Sequence, residues 1–409
     1  MMWALFTFYF LLGLCFQFPS VAMRFWLIDT VGVSPAQMAA IFGVVAIPWC
    51  LKPLYGFVSD SNPIFGYRRR PYMIVGAYVS STMWILLPFC PHDEFIITCV
   101  MMGSSLGLCV ADVMADSLLV EAARHESEQD QGTVQSWSWL MRFAGGLAAS
   151  VLGAVAYDHL GAAQVFLLNS MFPIVIAVAA CFIPDAPATE VYHWKTTTAT
   201  LWGAIRQPEI YKPALFIFLL SATPGYGEAF TFFYQHELKF TPDEFGALDV
   251  IGYIVSMAGA YIYKRCLRHV SFVRIFTWAL VISFVLENTL FILVFHLNRP
   301  MGIPDYVFAA VERVILTLVG ELVIMPMVVL GARVCPVGVE GTLYALLMSI
   351  SNIAGVVSSE WGSLLTKMFG VTAVDFSSLW KLMLVCHALD LIPILSVRLV
   401  RNVTPETSI

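Results

Sequence analysis

Charge is scarce in this sequence. Only 12% of the 409 residues are charged, about half the share typical of soluble domains, while 59% are hydrophobic. The net charge of −6 is spread thinly, and no run of basic residues suggests that the chain binds nucleic acid. This composition excludes an ordinary soluble globule and predicts an all-α membrane protein.

Several motifs that mark catalysis or cofactor binding are also missing. The sequence has no GxxxxGK[ST] loop, so ATP-driven transport is not expected, and it has neither HExxH nor GxSxG. Its nine cysteines are scattered without a CxxC pair, which argues against a zinc site or a disulfide framework. We therefore expect no enzyme activity, no cofactor and no metal. The apolar run from Met2 to Leu27 lacks a basic leader and predicts a permanent span rather than a cleaved signal.

Apolar segments of about 20 residues, the length that crosses a bilayer, occur twelve times. We place them near 3–27, 36–58, 71–90, 95–121, 132–157, 162–183, 209–235, 243–263, 273–297, 305–331, 339–366 and 376–400. Fifteen of the twenty-two basic residues, Lys52 and Arg68 among them, are assigned to the even-numbered connections and the C-terminal tail. By the positive-inside rule this bias predicts that both termini are cytoplasmic.

The longest polar connection lies near the middle of the chain and predicts two halves. We place an N-terminal six-helix half at 1–183, a cytoplasmic linker at 184–207 and a C-terminal six-helix half at 208–409. At an offset of 209 residues Gly132 falls on Gly341, Gly146 falls on Gly355 and Asp112 falls on Glu321. Two parallel repeats are the plan of a secondary transporter whose halves rock about a site near the bilayer midplane.

Charged residues within the fourth and fifth spans are the first candidates for that site. Asp112 and Asp116 share one helix face at i, i+4 spacing, and Asp112 lies about 13 Å deeper than Glu121 by helical rise. Arg142 lies at a similar depth on the next span. Because intramembrane charges are costly, they mark pathways more often than packing. The three side chains either line a cavity, where Arg142 receives an anionic carboxylate and an aspartate takes a proton or accepts N–H donors, or form a self-satisfied bridge.

Further acidic candidates lie in the second half. Glu321 is the repeat partner of Asp112. Glu228 follows Pro224-Gly-Tyr-Gly227, where proline and glycines predict a broken helix that lines a cavity. The adjacent pair Glu312-Arg313 is either an external gate or a plain salt bridge. Buried polar contacts between helices are the alternative for other inward candidates such as Glu287 and His387.

A conformational latch is predicted after the second span. Gly56 and Asp60 precede a glycine turn and an arginine cluster formed by Arg68, Arg69 and Arg70. The glycine would let helices approach closely, and the Asp60 carboxylate would lie at a neighbouring helix N-terminus, where the macrodipole favours an anion. The arginines would pair with Glu121 in one conformation and release it in the other. The alternative is that the arginines only set topology.

This region resembles the cytoplasmic signature of the major facilitator superfamily. The longer run Lys-Pro-Leu-Tyr-Gly-Phe-Val-Ser-Asp60 with Pro-Ile-Phe-Gly-Tyr-Arg-Arg-Arg-Pro-Tyr72 resembles, within it, the folate–biopterin transporter family. So do Asp112-Val-Met-Ala-Asp116, Gly132-Thr-Val-Gln-Ser136 and Cys335-Pro-x-Gly-Val-Glu-Gly-Thr-Leu-Tyr-Ala345. The resemblance covers almost the whole chain and implies a major facilitator fold with folates and pterins as substrates.

The expectation is therefore a secondary active transporter of folic acid and biopterin that works by alternating access with proton symport. We expect it to act as a monomer in the lipid bilayer, in the plasma membrane or in an organelle or plastid envelope. The alternatives are a carrier for another small organic anion, or a transport-dead receptor on the same scaffold. Binding without flux favours the receptor, and formation of a product favours an enzyme.

Overall fold

A computed structural model describes residues 2–123, 133–183, 185, 203, 206–267, 270–333 and 340–401. Within these ranges the regular structure is helical, and its one β-bridge joins Ile64 to Tyr67. This is expected in lipid, where each helix satisfies its own backbone hydrogen bonds. The first half contains helices Met2–Gln17, Ser20–Phe25, Trp26–Val31, Pro35–Cys50, Lys52–Ser61, Arg70–Leu86, Leu87–Phe89, Glu94–Ala123, Thr133–Leu160, Ala162–Asn169 and Met171–Cys181. The second half contains Pro208–Ser221, Gly227–Phe232, Phe233–Glu237, Pro242–Ile262, Tyr263–Leu267, Phe272–Glu287, Leu290–Val294, Asp305–Arg333, Glu340–Met368, Leu379–Leu389, Leu391–Ser396 and Val397–Val400.

Ten stretches of the described helices are long and apolar enough to cross a membrane. They coincide with ten of the twelve predicted spans. Helix Glu340–Met368 occupies the eleventh predicted position but falls outside the ten, and it carries Asn352, Glu360 and several serines. The seventh predicted span is interrupted. The multi-span architecture is therefore confirmed, while the count of twelve stays a prediction.

The interruption in the seventh span is the one that Pro224-Gly-Tyr-Gly227 predicts. Helix Pro208–Ser221 ends there, and a new helix begins at Gly227. The Ser358 hydroxyl donates to the Thr223 carbonyl at 2.6 Å, which satisfies one backbone acceptor that the break leaves without a helical partner. The first span has a similar interruption, since helix Met2–Gln17 ends just before Pro19.

The chain divides into two compact units, bounded as Met1–Gly32 with Val44–Thr200 and as Val33–Gly43 with Leu201–Ile409. Long helices of the two halves correspond in position. Glu94–Ala123 corresponds to Asp305–Arg333, and Thr133–Leu160 to Glu340–Met368, each within two residues of the predicted 209-residue offset. The boundaries at 183 and 208 stay a prediction.

Glycines allow two close helix crossings in the first unit. A Cβ on Gly76 would collide with the Gly107 carbonyl oxygen, and a Cβ on Gly107 would collide with the Gly76 carbonyl oxygen. Likewise a Cβ on Gly13 would collide with the backbone of Arg142. Small residues at membrane helix crossings let backbones pack closely. The second crossing sets Arg142 against the first helix.

Candidate functional site: a charge cluster in the N-terminal half

The site begins with a break between two helices. Helix Pro35–Cys50 ends, Leu51 leaves the helical conformation, and a new helix begins at Lys52 with a proline in its first turn. Proline is tolerated there because the first-turn N–H groups have no helical partner. Lys52 consequently lies inside a candidate span, Pro35–Ser61, and its side chain is largely buried. Lys52 thus belongs to the candidate span rather than to the connection after it, and fourteen basic residues remain in the even-numbered connections and the C-terminal tail.

Lys52 connects the two predicted aspartates. Its Nζ atom lies 2.6 Å from Asp112 Oδ2 and 3.4 Å from Asp116 Oδ2. The Tyr9 hydroxyl donates to Asp116 Oδ1 at 2.7 Å. Arg142 Nη1 lies 3.9 Å from Asp112 Oδ1, close enough for an ion pair but beyond hydrogen-bond distance. Two carboxylates and two cations thus balance, which is how charges are retained at membrane depth.

Both cations rest on aromatic rings. Lys52 Nζ lies 4.9 Å from the centre of the Trp49 ring. The Arg142 guanidinium lies 5.2 Å from the Phe16 ring centre and 5.4 Å from the Trp139 ring centre. The rings of Phe16 and Trp49 are themselves 5.4 Å apart. Cation–π contacts of this kind hold the cations in place without using their hydrogen-bond donors.

Accessibility divides the cluster into a buried part and an open part. The Asp112 side chain is only 1% exposed, beneath Lys52. The side chains of Asp116 and Arg142 are 48% and 28% exposed. The Asp116 carboxylate and the Arg142 guanidinium are therefore the accessible charges of the cluster, whereas Asp112 and Lys52 are its buried charges.

The sequence correctly brought together three members of this cluster: Asp112, Asp116 and Arg142. It missed Lys52 and Tyr9. The signal for Lys52 was present, because a lysine six residues inside a predicted span needs an acidic partner. Tyr9 lies in an unbroken apolar run and gave no such signal. The assignment of the three residues to substrate or proton binding stays a prediction.

The predicted latch has a geometry of its own. Arg69 Nη2 lies 2.8 Å from Asp60 Oδ1, and Arg69 Nη1 donates to the Ser59 hydroxyl at 2.7 Å. Gly66 has a φ of 80° and forms the predicted glycine turn. A Cβ on Gly56 would meet Val113 at an ordinary 3.8 Å, so this approach does not require glycine.

A different carboxylate occupies the helix N-terminus expected for Asp60. Asp185 Oδ2 accepts hydrogen bonds from the backbone N–H groups of Arg69 and Arg70, at 3.0 and 2.9 Å, where helix Arg70–Leu86 begins. Arg70 in turn donates through two nitrogens to the Ile183 carbonyl. The end of the sixth span is thereby tied to the start of the third. The side chain of Glu121 lies outside the described residues, and Arg68 has a partner of its own.

Glu321 lies at the repeat position of Asp112, in a different setting. Its side chain is buried, and a Cβ added to Gly259 would lie 2.7 Å from Glu321 Cβ. The matching position in the first half, at an offset of 207, is Lys52. The first half therefore pairs its carboxylate with a cation, whereas the second half packs its carboxylate against a glycine.

The other acidic candidates have separate surroundings within the second unit. Glu228 lies in the first turn of helix Gly227–Phe232, directly after the break, and has a polar partner. Arg313 Nη2 lies 3.6 Å from Asp249 Oδ1, so it does not pair with its neighbour Glu312. Glu312 instead contacts the Thr289 hydroxyl at 3.1 Å.

Solved structures of membrane transporters share the fold of this chain. A solved structure of the nucleoside transporter NupG, in a single-substitution mutant form, superposes with a TM-score of 0.76 at 10% identity and covers 97% of this chain and 98% of its own. The D-xylose–proton symporter gives a TM-score of 0.68 at 13% identity, over 99% and 98% of the two chains. At such identities the likeness establishes the fold.

The family is established by sequence. The model of the BT1 family matches residues 12–407, and the chain belongs to this family. A folate-biopterin transporter of Synechocystis is 38% identical over 377 residues, which cover 91% of this chain and 76% of the relative. A probable folate-biopterin transporter 2 of Arabidopsis thaliana is 31% identical over 389 residues, at 91% and 77% coverage. The resemblance seen in the motifs is confirmed.

Proposed function

We propose that this chain is a secondary transporter that carries folates and pterins across a membrane by alternating access, with cotransport of a proton. Membership of the BT1 family, relatives named as folate-biopterin transporters and the major facilitator fold support this function. Within the chain, the open part of the charge cluster carries the proposal. It places an accessible guanidinium and an accessible carboxylate beside aromatic faces.

The chemistry of the substrates matches these groups. A pterin is flat and presents amino and ring N–H donors, which suit the Asp116 carboxylate and an aromatic face such as that of Trp139. Folic acid adds glutamate carboxylates. Arg142 is the group to receive one of them, because its planar fork of N–H donors matches a carboxylate and its contact with Asp112 is too long for a hydrogen bond. Lys52 and Asp112, the buried members of the cluster, hold Asp116 and Arg142 in place.

The direct test is uptake by vesicles that contain the purified protein. Radiolabelled folic acid and biopterin are supplied with and without an inward proton gradient, and vesicles without protein give the background. We expect concentrative uptake of both only with the gradient. Uptake that does not depend on the gradient would support the substrate assignment and contradict proton coupling. Saturable binding without uptake identifies a receptor, and the absence of both from folded protein rejects the substrate class.

A charge-specific test separates binding from packing. Arg142→Gln removes the guanidinium. Loss of this charge-assisted partner is worth about 1.5–3 kcal/mol, which corresponds to a rise of roughly ten- to one-hundred-and-fifty-fold in the KM for folic acid. Biopterin has no carboxylate, so its KM should change far less. Arg142→Lys keeps the charge without the fork and should give an intermediate KM for folic acid. An equal loss for both substrates would show that Arg142 only supports the fold.

Location and assembly complete the proposal. We propose that the chain acts as a monomer in the plasma membrane, with both termini in the cytoplasm. The basic residues that remain in the even-numbered connections support this orientation. Labelling of a cysteine introduced near the C-terminus by a membrane-impermeant reagent tests it. Labelling should require that the cells be opened first.

A further inference from the structure

A second polar network lies in the C-terminal unit, away from the charge cluster, and centres on Glu312. This side chain, on helix Asp305–Arg333, is only 6% exposed. Its Oε2 atom is buried and, among the described residues, has no hydrogen-bond partner. An ionised carboxylate carries a large desolvation cost when one of its oxygens is buried away from water without a hydrogen-bond donor. A neutral carboxylic acid avoids most of that cost.

The two oxygen contacts of the Thr289 hydroxyl favour the neutral form. Its hydroxyl oxygen lies 2.6 Å from the Leu286 carbonyl oxygen and 3.1 Å from Glu312 Oε1. A hydroxyl has one hydrogen to donate. The carbonyl can only accept, so the shorter contact uses that hydrogen. With that hydrogen on the Leu286 carbonyl, a protonated Glu312 can donate to the Thr289 oxygen. An ionised Glu312 would instead have to accept the hydrogen from Thr289 and take it from the Leu286 carbonyl.

The surroundings offer Glu312 no counter-ion among the described residues. Arg313, the next residue on the same helix, turns to Asp249 of helix Pro242–Ile262. Glu287 ends helix Phe272–Glu287 and adds a second acidic group nearby. The phenols of Tyr226 and Tyr234, from the interrupted seventh span, also lie near Glu312, and Asp390 is a further acid beside Tyr226.

The imidazole of His387 lies in the same network and contacts two polar groups. The Asn288 amide nitrogen donates to the Phe284 carbonyl at 2.6 Å, which directs the amide oxygen toward His387 Nδ1, 3.3 Å away. Nδ1 therefore carries the hydrogen. His387 Nε2 contacts the Tyr226 hydroxyl at 2.8 Å. Since none of the described cations forms an ion pair with Glu312, a proton on Glu312 itself is the simplest way to remove its buried charge.

We propose that Glu312 is a proton-binding site, and that its proton is the one exchanged during the transport cycle. This inference rests on the proposed function and locates its coupling site. When the proton leaves, the Thr289 hydroxyl is positioned to rotate from the Leu286 carbonyl to the carboxylate. The proton site and the substrate site then lie in different halves, because the aspartates of the first half are already compensated by Lys52 and Arg142.

Transport with and without net proton movement tests this role. Glu312→Gln mimics the protonated acid. It should retain exchange of labelled for unlabelled folic acid across the vesicle membrane, which needs no net proton transfer, at a rate within about threefold of the wild type. Its accumulation under a proton gradient should fall to the level seen without a gradient. Gradient-driven accumulation at the wild-type level in Glu312→Gln would overturn the proposal.

Two further variants keep the test decisive. Glu287→Gln is the matched control, because it neutralises the neighbouring acid, which has its own partner in Ser283. This variant should keep gradient-driven accumulation. Loss of that accumulation in Glu287→Gln would overturn the assignment to Glu312. Glu312→Asp retains a titratable group at a shorter reach and serves if Glu312→Gln does not insert. It should shift the pH profile of accumulation, and an unchanged profile contradicts the proposal.

Infrared spectroscopy separates the proton site from the transport function. The difference spectrum of the wild type minus Glu312→Gln should show the carbonyl stretching band of a protonated carboxyl group at neutral pH. If Glu312→Gln does not insert into the membrane, Glu312→Asp takes its place in the subtraction. Absence of that band rejects the proton on Glu312 even if transport is intact. If the wild type exchanges neither folic acid nor biopterin, the proposed function fails, and the band still decides the protonation of Glu312.

Discussion

Replacing Lys52 tests whether one buried cation holds the first half together. Lys52→Met keeps most of the side chain's volume but leaves Asp112, 1% exposed, without its 2.6 Å partner. Removal of one member of a buried ion pair costs about 3–5 kcal/mol. At 1.4 kcal/mol per factor of ten, the unfolded fraction should rise by roughly two to three and a half orders of magnitude.

The two carboxylates should respond unequally. Asp112→Asn leaves Lys52 paired with Asp116 at 3.4 Å and removes one charge-assisted hydrogen bond, worth about 1.5–3 kcal/mol. Asp116→Asn should cost less again, because that side chain is half exposed. The double variant Lys52→Met with Asp112→Asn leaves no unpaired buried charge at position 112. It should therefore be more stable than Lys52→Met alone.

Equilibrium unfolding in detergent micelles, followed by tryptophan fluorescence, measures these differences. Trp49 lies against Lys52 and reports on this region. Lys381→Met is the matched control: Lys381 also rests on a tryptophan, Trp380, at 5.6 Å, but on the protein surface, and surface substitutions usually change stability by no more than about 0.5 kcal/mol. If Lys52→Met loses no more than Lys381→Met, the cluster does not stabilise the fold and the reasoning is refuted.

Two other predictions concern how the helices of the first half are joined. Asp185→Ala should lower the free energy of unfolding by about 1–2 kcal/mol in the same assay, since it removes the acceptor for two N–H groups at the N-terminus of helix Arg70–Leu86. An unchanged unfolding midpoint would contradict the contact between the third and sixth spans. Gly107→Ala should lose about 1–3 kcal/mol because its methyl group collides with the Gly76 carbonyl, whereas Gly320→Ala, which meets nothing within 4 Å, should be neutral or stabilising.

The sequence predicted the elements of this fold well, because lipid leaves few alternatives. Apolar runs of spanning length must be helices, and the break at Pro224-Gly-Tyr-Gly227 followed from residues that interrupt helical hydrogen bonding. The aspartates came together on one face because i, i+4 spacing requires it. These inferences use only distances along one helix.

Contacts between helices were harder to predict. Lys52 lies inside the predicted span 36–58 but was counted with the connection after it, so its pairing with the aspartates of another span was not anticipated. Asp185 falls in the predicted linker, since nothing in the sequence shows that the end of the sixth span meets the third. Glu312 and Arg313 are neighbours in sequence and suggested a pair, yet consecutive helical residues point in different directions.

The glycine beneath Glu321 has a consequence for how the two halves tolerate change. If both descend from a duplicated ancestor, each inherited a carboxylate at the same position and accommodated it differently, the first by charge and the second by shape. In the first half a loss at Asp112 can be compensated by a second loss at Lys52. In the second half a side chain at Gly259 would collide with Glu321, so a loss at Glu321 cannot be compensated at that position. The two halves share their helical arrangement, but substitutions at positions 112 and 321 are constrained by different neighbours.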